Sequence, residues 1–307
     1  IVTADDFSSN PVSASCEIGV KIVTPITGMT FTEDTELNQL GYGQEYQIKY
    51  TLEPVDATAS LLTWASDNPE GISVDKTGKL KVHTTKTASA VITASYGPVV
   101  QNVTVTVADG RFWYSLGNGL GNGLDNNWYL DGNNASVVSS DGNKTTVQMG
   151  SGYRGDLWLA RSGKGKIVNV TPADYRYFAI KVGFKSQLVP GKNKPNGCIK
   201  LEIFDDGIKK IGPEYFGTGG DANNRYEILG ASEISTTEPN VLYYDLQSKY
   251  KTVTPTDWNQ VFDLVQCKFV IADFPETAQT YDLYWIRSFK SIEELQAFVD
   301  SENNTNE

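Results

Sequence analysis

Between residues 63 and 80 the chain spells three short strands separated by two tight turns. Trp64 and its neighbours run into Asp67-Asn68-Pro69. Ile72, Ser73 and Val74 then run into Asp75-Lys76-Thr77-Gly78 before Lys79 resumes. Gly78 admits the positive φ that a tight hairpin turn demands, and the Asp75 side chain is short enough to bond its own backbone. Punctuation this dense leaves no room for a helix and commits the stretch to antiparallel strands.

The same pattern extends on both sides. Alternation predicts strands at 19–25, 44–52, 61–64, 72–74, 79–82, 90–96 and 99–107. In 44–52, Tyr46, Ile48, Tyr50 and Leu52 share one face. In 99–107, Val103, Val105 and Val107 share a face while Thr104 and Thr106 point the other way. Some seven short alternating strands in about 90 residues predict a β-sandwich.

Five segments carry a resemblance: Ile22-Val23-Thr24-Pro25, Tyr50-Thr51-Leu52-Glu53-Pro54, Leu62-Thr63-Trp64-Ala65-Ser66-Asp67-Asn68-Pro69, Asp75 to Gly78, and Val103-Thr104-Val105-Thr106-Val107. On these, residues 17–109 resemble a group 2 bacterial immunoglobulin-like domain. The acidic Glu33-Asp34-Thr35-Glu36 departs from a compact version of it. The resemblance implies a spacer module of bacterial surface proteins, with Trp64 as its core tryptophan. Residues 1–16, rich in Ser, Asp and Asn and without periodicity, read as a tether.

Asp109-Gly110 reads as a boundary. Residues 110–307 hold most of the aromatic side chains. Strands are expected at 112–116, 136–138, 145–149, 156–161, 177–184, 198–205, 241–245, 267–272 and 281–289, with long Gly/Asn loops between them. Residues 291–300 read as a helix: Ser291 can cap it, Glu293 and Glu294 suit its first turn, and Ile292, Leu295 and Phe298 share a face. The fold class is therefore all-β, an immunoglobulin-like β-sandwich followed by a larger jelly-roll-like one.

This second part carries Phe112-Trp113-Tyr114-Ser115-Leu116-Gly117, Asp156-Leu157-Trp158-Leu159-Ala160-Arg161, Tyr177-Phe178-Ala179-Ile180-Lys181 and the run from Tyr281 to Ser291. In these it resembles the carbohydrate-binding-module-like C-terminal domains of surface glycan-binding lipoproteins from Bacteroides-type bacteria. The resemblance implies a sugar-binding domain lifted by its spacer.

Of 307 residues 39% are hydrophobic and 21% charged, which fits a folded chain. A net charge of −11 argues against nucleic acid and anionic membrane surfaces as partners. Membrane association is expected only through a lipid anchor upstream of Ile1, where a secretion signal is also expected to have been lost. Cys16, Cys198 and Cys267 make no disulfide scaffold. Cys198 and Cys267 fall on expected strands, and both pairing and two buried thiols remain open.

Catalysis finds little to work with. His83 is the lone histidine, so a Ser-His-Asp arrangement or a histidine metal site is not expected. Paired carboxylates serve a glycosidase, and Asp156, Glu202, Asp205, Asp206, Glu214 and Glu227 are candidates without a catalytic motif.

Sugar binding needs flat rings against the apolar face of a pyranose and polar groups around its hydroxyl rim. Asp125-Asn126-Asn127-Trp128-Tyr129-Leu130-Asp131 supplies both, as do Tyr153-Arg154-Gly155-Asp156 and Trp158. The expected ligand-binding residues are Trp128, Tyr129, Asp131, Tyr153, Arg154, Asp156 and Trp158. Trp128 also fits a core position. Trp158, between Leu157 and Leu159, points out of the core if those two point in.

The Gly117-to-Gly123 run lacks a Gly-Lys-Ser/Thr ending and reads as an edge loop, not a phosphate loop. No cofactor is expected beyond a structural Ca²⁺, for which Asp141-Gly142-Asn143 and residues 219–224 offer oxygens.

The expected function is non-catalytic binding of a polysaccharide or oligosaccharide, on the outer face of the outer membrane or in secreted form. Other surface glycan-uptake proteins are the expected protein partners. Two alternatives stay open: a glycoside hydrolase or lyase, and a structural or adhesion component of a surface complex.

Overall fold

The computed structural model describes residues 2–4, 12–14, 22–122, 127–131, 135–150, 155–160, 168–187, 199–205, 226–247, 258–271 and 279–304. The first part contains β1 (Val2–Ala4), β2 (Val12–Ala14), β3 (Gly28–Phe31), β4 (Leu40–Tyr42), β5 (Glu45–Gln47), β6 (Tyr50–Glu53), β7 (Thr63–Ser66), β8 (Ile72–Val74), β9 (Lys79–Val82), β10 (Ala88–Tyr96) and β11 (Val99–Ser115). The second contains β12 (Tyr129–Asp131), β13 (Ser136–Ser140), β14 (Thr145–Gln148), β15 (Gly155–Ala160), β16 (Val168–Val170), β17 (Tyr177–Phe184), β18 (Ile199–Asp205), β19 (Glu227–Ile228), β20 (Asn240–Asp245), β21 (Phe262–Ile271), β22 (Thr280–Phe289) and α1 (Ile292–Asn304). The chain is all-β, as its alternation predicts.

The Asp75–Gly78 turn forms as expected. Asp75 Oδ1 accepts from Thr77 N at 2.7 Å and from Lys79 N at 3.0 Å, and Gly78 takes φ +81. Gly78 is required twice over, because a Cβ there would lie 2.6 Å from the Trp64 ring. Trp64 in turn packs on Tyr50 and Phe31, at ring distances of 5.5 and 6.0 Å.

Three expectations are corrected in this part. The alternating run 44–52 is not one strand: β5 pairs with β9 and β6 pairs with β3, so a single run serves two sheets. The strand expected at 19–25 begins instead at Gly28; of the expected span, residues 22–25 are irregular and 19–21 lie outside the described residues. Within the segment read as a tether, the backbones of β1 and β2 pair antiparallel.

β11 is the axis of the molecule. Val99 to Val107 pair with β10, and Trp113 to Ser115 pair with β22. Asp109-Gly110, read from sequence as a break, lies inside this 17-residue strand. Gly110 takes φ +68, and a Cβ there would meet Thr171 N at 2.5 Å. The strand thus kinks without ending.

Separate apolar clusters lie on either side of the kink. One gathers Leu80, Ile92, Val105 and Val107; the other gathers Phe112, Phe178, Phe269 and Ile286. Polar contacts cross the junction. Arg111 donates to Glu36 Oε1 at 2.8 Å, Asn169 N to Thr85 Oγ1 at 3.0 Å, and Lys86 pairs with Asp263 at 3.1 Å.

The second part is a sandwich of two sheets. One runs β19-β20-β17-β22-β11, with β14 and β13 continuing from β22. The other runs β12-β15-β21-β16, with β18 also pairing β21. Alternation sends Phe178, Ile180, Val182 and Phe184 of β17 inward to meet Leu157, Leu159, Cys267 and Phe269 from the opposite sheet. Each large side chain buried this way contributes about 1.5–3 kcal/mol. Cys267 is free and buried; Cys198, its candidate partner, lies outside the described residues.

The outer face of the first sheet is apolar too, because α1 covers it. Trp285 and Phe289 meet Leu295 and Phe298 there. Glu294 N donates to Ser291 Oγ at 3.2 Å, the cap the sequence predicts.

Candidate functional site

β12 and β15 decide where the sequence-predicted binding residues go. Leu130, Leu157 and Leu159 pack into the core, so the alternating partners Tyr129, Asp131, Asp156 and Trp158 take the outer face of the sheet. The register pairs Tyr129 with Trp158 and Asp131 with Asp156. Four of the expected residues therefore converge.

They converge on a residue that sequence reading missed. Lys268 of β21 lies opposite Trp158. Its ammonium donates to Asp156 Oδ2 at 2.9 Å and sits 4.4 Å from the Trp158 ring centroid. The signal for it was a single cation inside the apolar alternation of Val265 to Phe269. Tyr129, Asp156 and Trp158 are each 8% exposed and Lys268 is 6% exposed, so the cluster is closed. The expected open stacking platform is not what Trp158 offers.

Trp128 corrects the expectation outright. It shares its phase with Leu130, points inward and is 0% exposed. Its ring lies 5.7 Å from that of Phe269, and among the described residues its Nε1–H has no hydrogen-bond partner. A ring enclosed in the core has no face for a sugar. Tyr153 and Arg154 lie outside the described residues.

Of the candidate carboxylates, Asp156 is tied to Lys268, whereas Glu227 lies on β19 in the other sheet. The side chains of Glu202, Asp205, Asp206 and Glu214 lie outside the described residues. His83 accepts or donates a 2.8 Å hydrogen bond with Ser73, and burial lowers its pKa. Among the described residues no cluster of His, Cys, Asp and Glu could hold a metal. Asp141 Oδ1 instead caps its own turn, accepting from Asn143 N and Lys144 N at 2.9 Å. Residues 219–224 lie outside the described residues.

An open concavity lies elsewhere, beside the kinked strand. A cleft of about 560 Å³ has one wall from the first part of the chain, with Glu45 of β5 and Lys79 and Lys81 of β9. These β9 residues alternate with Leu80 and Val82, which are buried in the core. The other wall is Trp113, Tyr114 and Ser115 of β11 with Arg287 of β22. The Gly-rich segment 118–121, Gly142 and Asn127 line the rest.

Of that Gly-rich run, expected to be an edge loop, Gly117 and Gly121 are tied by backbone hydrogen bonds. Gly142 N donates to Gly117 O at 3.0 Å, and Gly121 N donates to Trp128 O at 2.6 Å. Asn127 Oδ1 accepts from the Tyr114 hydroxyl at 2.8 Å.

Two guanidinium groups frame Trp113, with Arg111 4.8 Å and Arg287 4.4 Å from its ring centroid. The Arg287 side chain is 13% exposed, and burial lowers its pKa to about 10. The lining as a whole is mostly polar. It offers amides, a hydroxyl and cations to a hydrophilic ligand of modest size.

Fold and cleft define a two-part β-sandwich protein with a polar groove at the junction. The chain belongs to the family described as Domain of unknown function (DUF4979), whose model matches residues 119–295. No curated protein matches.

Among solved structures, the chain is similar to a carbohydrate-binding module of the β-sandwich superfamily. That match has 11% identity and a TM-score of 0.30, covering 87% of this chain and 100% of the other. It is also similar to a candidate glycoside hydrolase from Bacteroides thetaiotaomicron, at 11% identity and a TM-score of 0.31, covering 90% and 99%. A third is the M60 catalytic domain with two carbohydrate-binding domains from Clostridium perfringens ZmpB. There identity is 12% and the TM-score 0.23, covering 92% of this chain and 24% of that one.

Proposed function

We propose that this chain is a non-catalytic glycan-binding protein of the bacterial cell surface, in which an immunoglobulin-like spacer and a sugar-binding sandwich share the cleft at their junction. The observation that carries the reading is the lining of that cleft. Asn118, Asn127 and Ser115 are amide and hydroxyl groups that donate and accept, as sugar hydroxyls do. Tyr114 and Trp113 line the cleft beside them.

A binding role is favoured over hydrolysis because the described lining contains one carboxylate, Glu45, and that carboxylate is paired with Lys79. Glycoside hydrolysis uses two carboxylates that flank the bond.

Calorimetric titration of the full chain with a broad panel of plant and host oligosaccharides tests the proposal. Binding is expected, weakened about tenfold by Asn118→Ala, which removes hydrogen bonds to the ligand rim. Silence across the panel, or release of reducing ends during incubation, overturns it.

A further inference from the structure

The cleft is more basic than the molecule around it. The chain carries a net charge of −11, yet the side chains lining the cleft include three cations, Lys79, Lys81 and Arg287, and one carboxylate, Glu45. The cations are not equally engaged. Glu45 lies opposite Lys81 in the β5–β9 register, but its carboxylate goes diagonally to Lys79. Among the described residues Lys81 is left without an ion pair or side-chain hydrogen bond.

Arg287 is held by rings instead of a counterion. Its guanidinium carbon lies 4.2 Å from the Phe298 centroid, 4.4 Å from that of Trp113 and 5.3 Å from that of Trp285. Its nearest carboxylate contact, Glu302 Oε1, is 4.0 Å away. Glu302 is already committed through Oε2, which takes Lys181 and Trp285 Nε1 at 3.1 Å each. Among the described residues Arg287 Nε is buried without a hydrogen-bond partner. The second guanidinium over Trp113, that of Arg111, is neutralised by Glu36 at 2.8 Å. One wall therefore presents a free ammonium, and the other a fixed, poorly compensated guanidinium.

A neutral sugar has no use for two spare cations. An anion relieves both, and a planar fork fits a carboxylate in particular. We propose that the ligand of this cleft is a carboxylate-bearing glycan, a uronic acid oligosaccharide, with Lys81 and Arg287 reading its charge. This rests on glycan binding at the cleft and adds the class of glycan. The burial that lowers the Arg287 pKa is in keeping with it, since a bound carboxylate stabilises the charge that burial penalises.

The test is calorimetric titration of the full chain at low ionic strength with four probes: trigalacturonate, its fully methyl-esterified form, a neutral glucose trisaccharide and a sulfated trisaccharide. Trigalacturonate is expected to bind best, and methyl esterification to weaken it at least about tenfold. Binding is expected to weaken as salt rises. Lys81→Met, at an exposed position, is expected to lower affinity several-fold without moving the melting temperature. Arg287→Lys keeps the charge but loses the fork, and is expected to lower affinity for the acid more than affinity for the neutral trisaccharide.

Equal binding of acid and ester, or the tightest binding by the neutral trisaccharide, overturns the inference and leaves glycan binding standing. Tightest binding by the sulfated probe overturns the carboxylate assignment. Binding of none of the four overturns the inference, and glycan binding itself falls only if the broad panel is silent too.

Discussion

Trp128 separates a core tryptophan from a ligand-binding one, and the two readings predict opposite phenotypes. Its side chain is 0% exposed and packs on Phe269 at 5.7 Å. Truncating such a ring in a core costs about 3–5 kcal/mol, transfer and cavity together. At roughly 2–4 °C per kcal/mol for a domain of this size, Trp128→Ala lowers the melting temperature by about 6–20 °C. Trp128→Phe is the sharper variant. It opens a small cavity, worth about 1 kcal/mol. It also removes an Nε1–H that is buried without a partner among the described residues, a group costing about 1–3 kcal/mol. The balance runs from none to about 2 kcal/mol in favour of the variant, so Trp128→Phe melts at or above wild type while Trp128→Ala collapses. Differential scanning calorimetry measures both, and titration with a bound oligosaccharide runs alongside. If Trp128→Ala keeps its melting temperature and loses ligand affinity, the ring is a contact residue and the burial argument fails.

Gly43→Ala is expected to destabilise by at least about 1–3 kcal/mol, because the residue has φ +78 and its Cβ would lie 2.1 Å from Tyr114 Cδ2; thermal melts report the loss, and changed tyrosine fluorescence the displaced ring. Lys268→Met leaves Asp156 without the cation 2.9 Å away in a cluster under 10% exposed, at a cost of about 3 kcal/mol. Adding Asp156→Asn recovers part of it, and urea denaturation of the two singles and the double measures the coupling. His83 has a folded pKa below its ordinary value because burial disfavours the charged ring. The unfolded chain therefore binds the proton more readily, and the His83 contribution is fully present above the ordinary imidazole pKa of 6.5. It is lost as pH falls from there through the lower folded value. Urea midpoints at pH 7 and pH 5 are expected to drop less in His83→Gln than in wild type.

Alternation carried the strands well where both faces had a purpose. The eight residues of β17 were legible because Phe178, Ile180, Val182 and Phe184 repeat with period two and meet a packed core. α1 was legible from its cap and one apolar stripe. β12, β16 and β19 escaped notice because two or three residues hold too little of a period to register. The run 44–52 misled for another reason: its face pattern is right, but nothing local says that the chain changes sheets midway.

Gly110 looked like a terminator, since glycine both ends strands and bends them. The outward turn of Asp156 and Trp158 could be read from Leu157 and Leu159. The closure of that face depends on Lys268, which lies 110 residues further along the chain. The cleft was illegible because Lys81, Trp113, Asn127 and Arg287 share no local pattern.

The passage of β11 through both sandwiches has a mechanical consequence. Its hydrogen bonds to β10 on one side of Gly110 and to β22 on the other lie across the strand, while the strand itself links the two cores. Tension that draws the sandwiches apart acts along its length and loads each set of bonds in shear, many at once, instead of peeling them one by one. The cleft opens beside that same strand. A load applied at Arg287 reaches β11 through the pairing of Arg287 with Trp113.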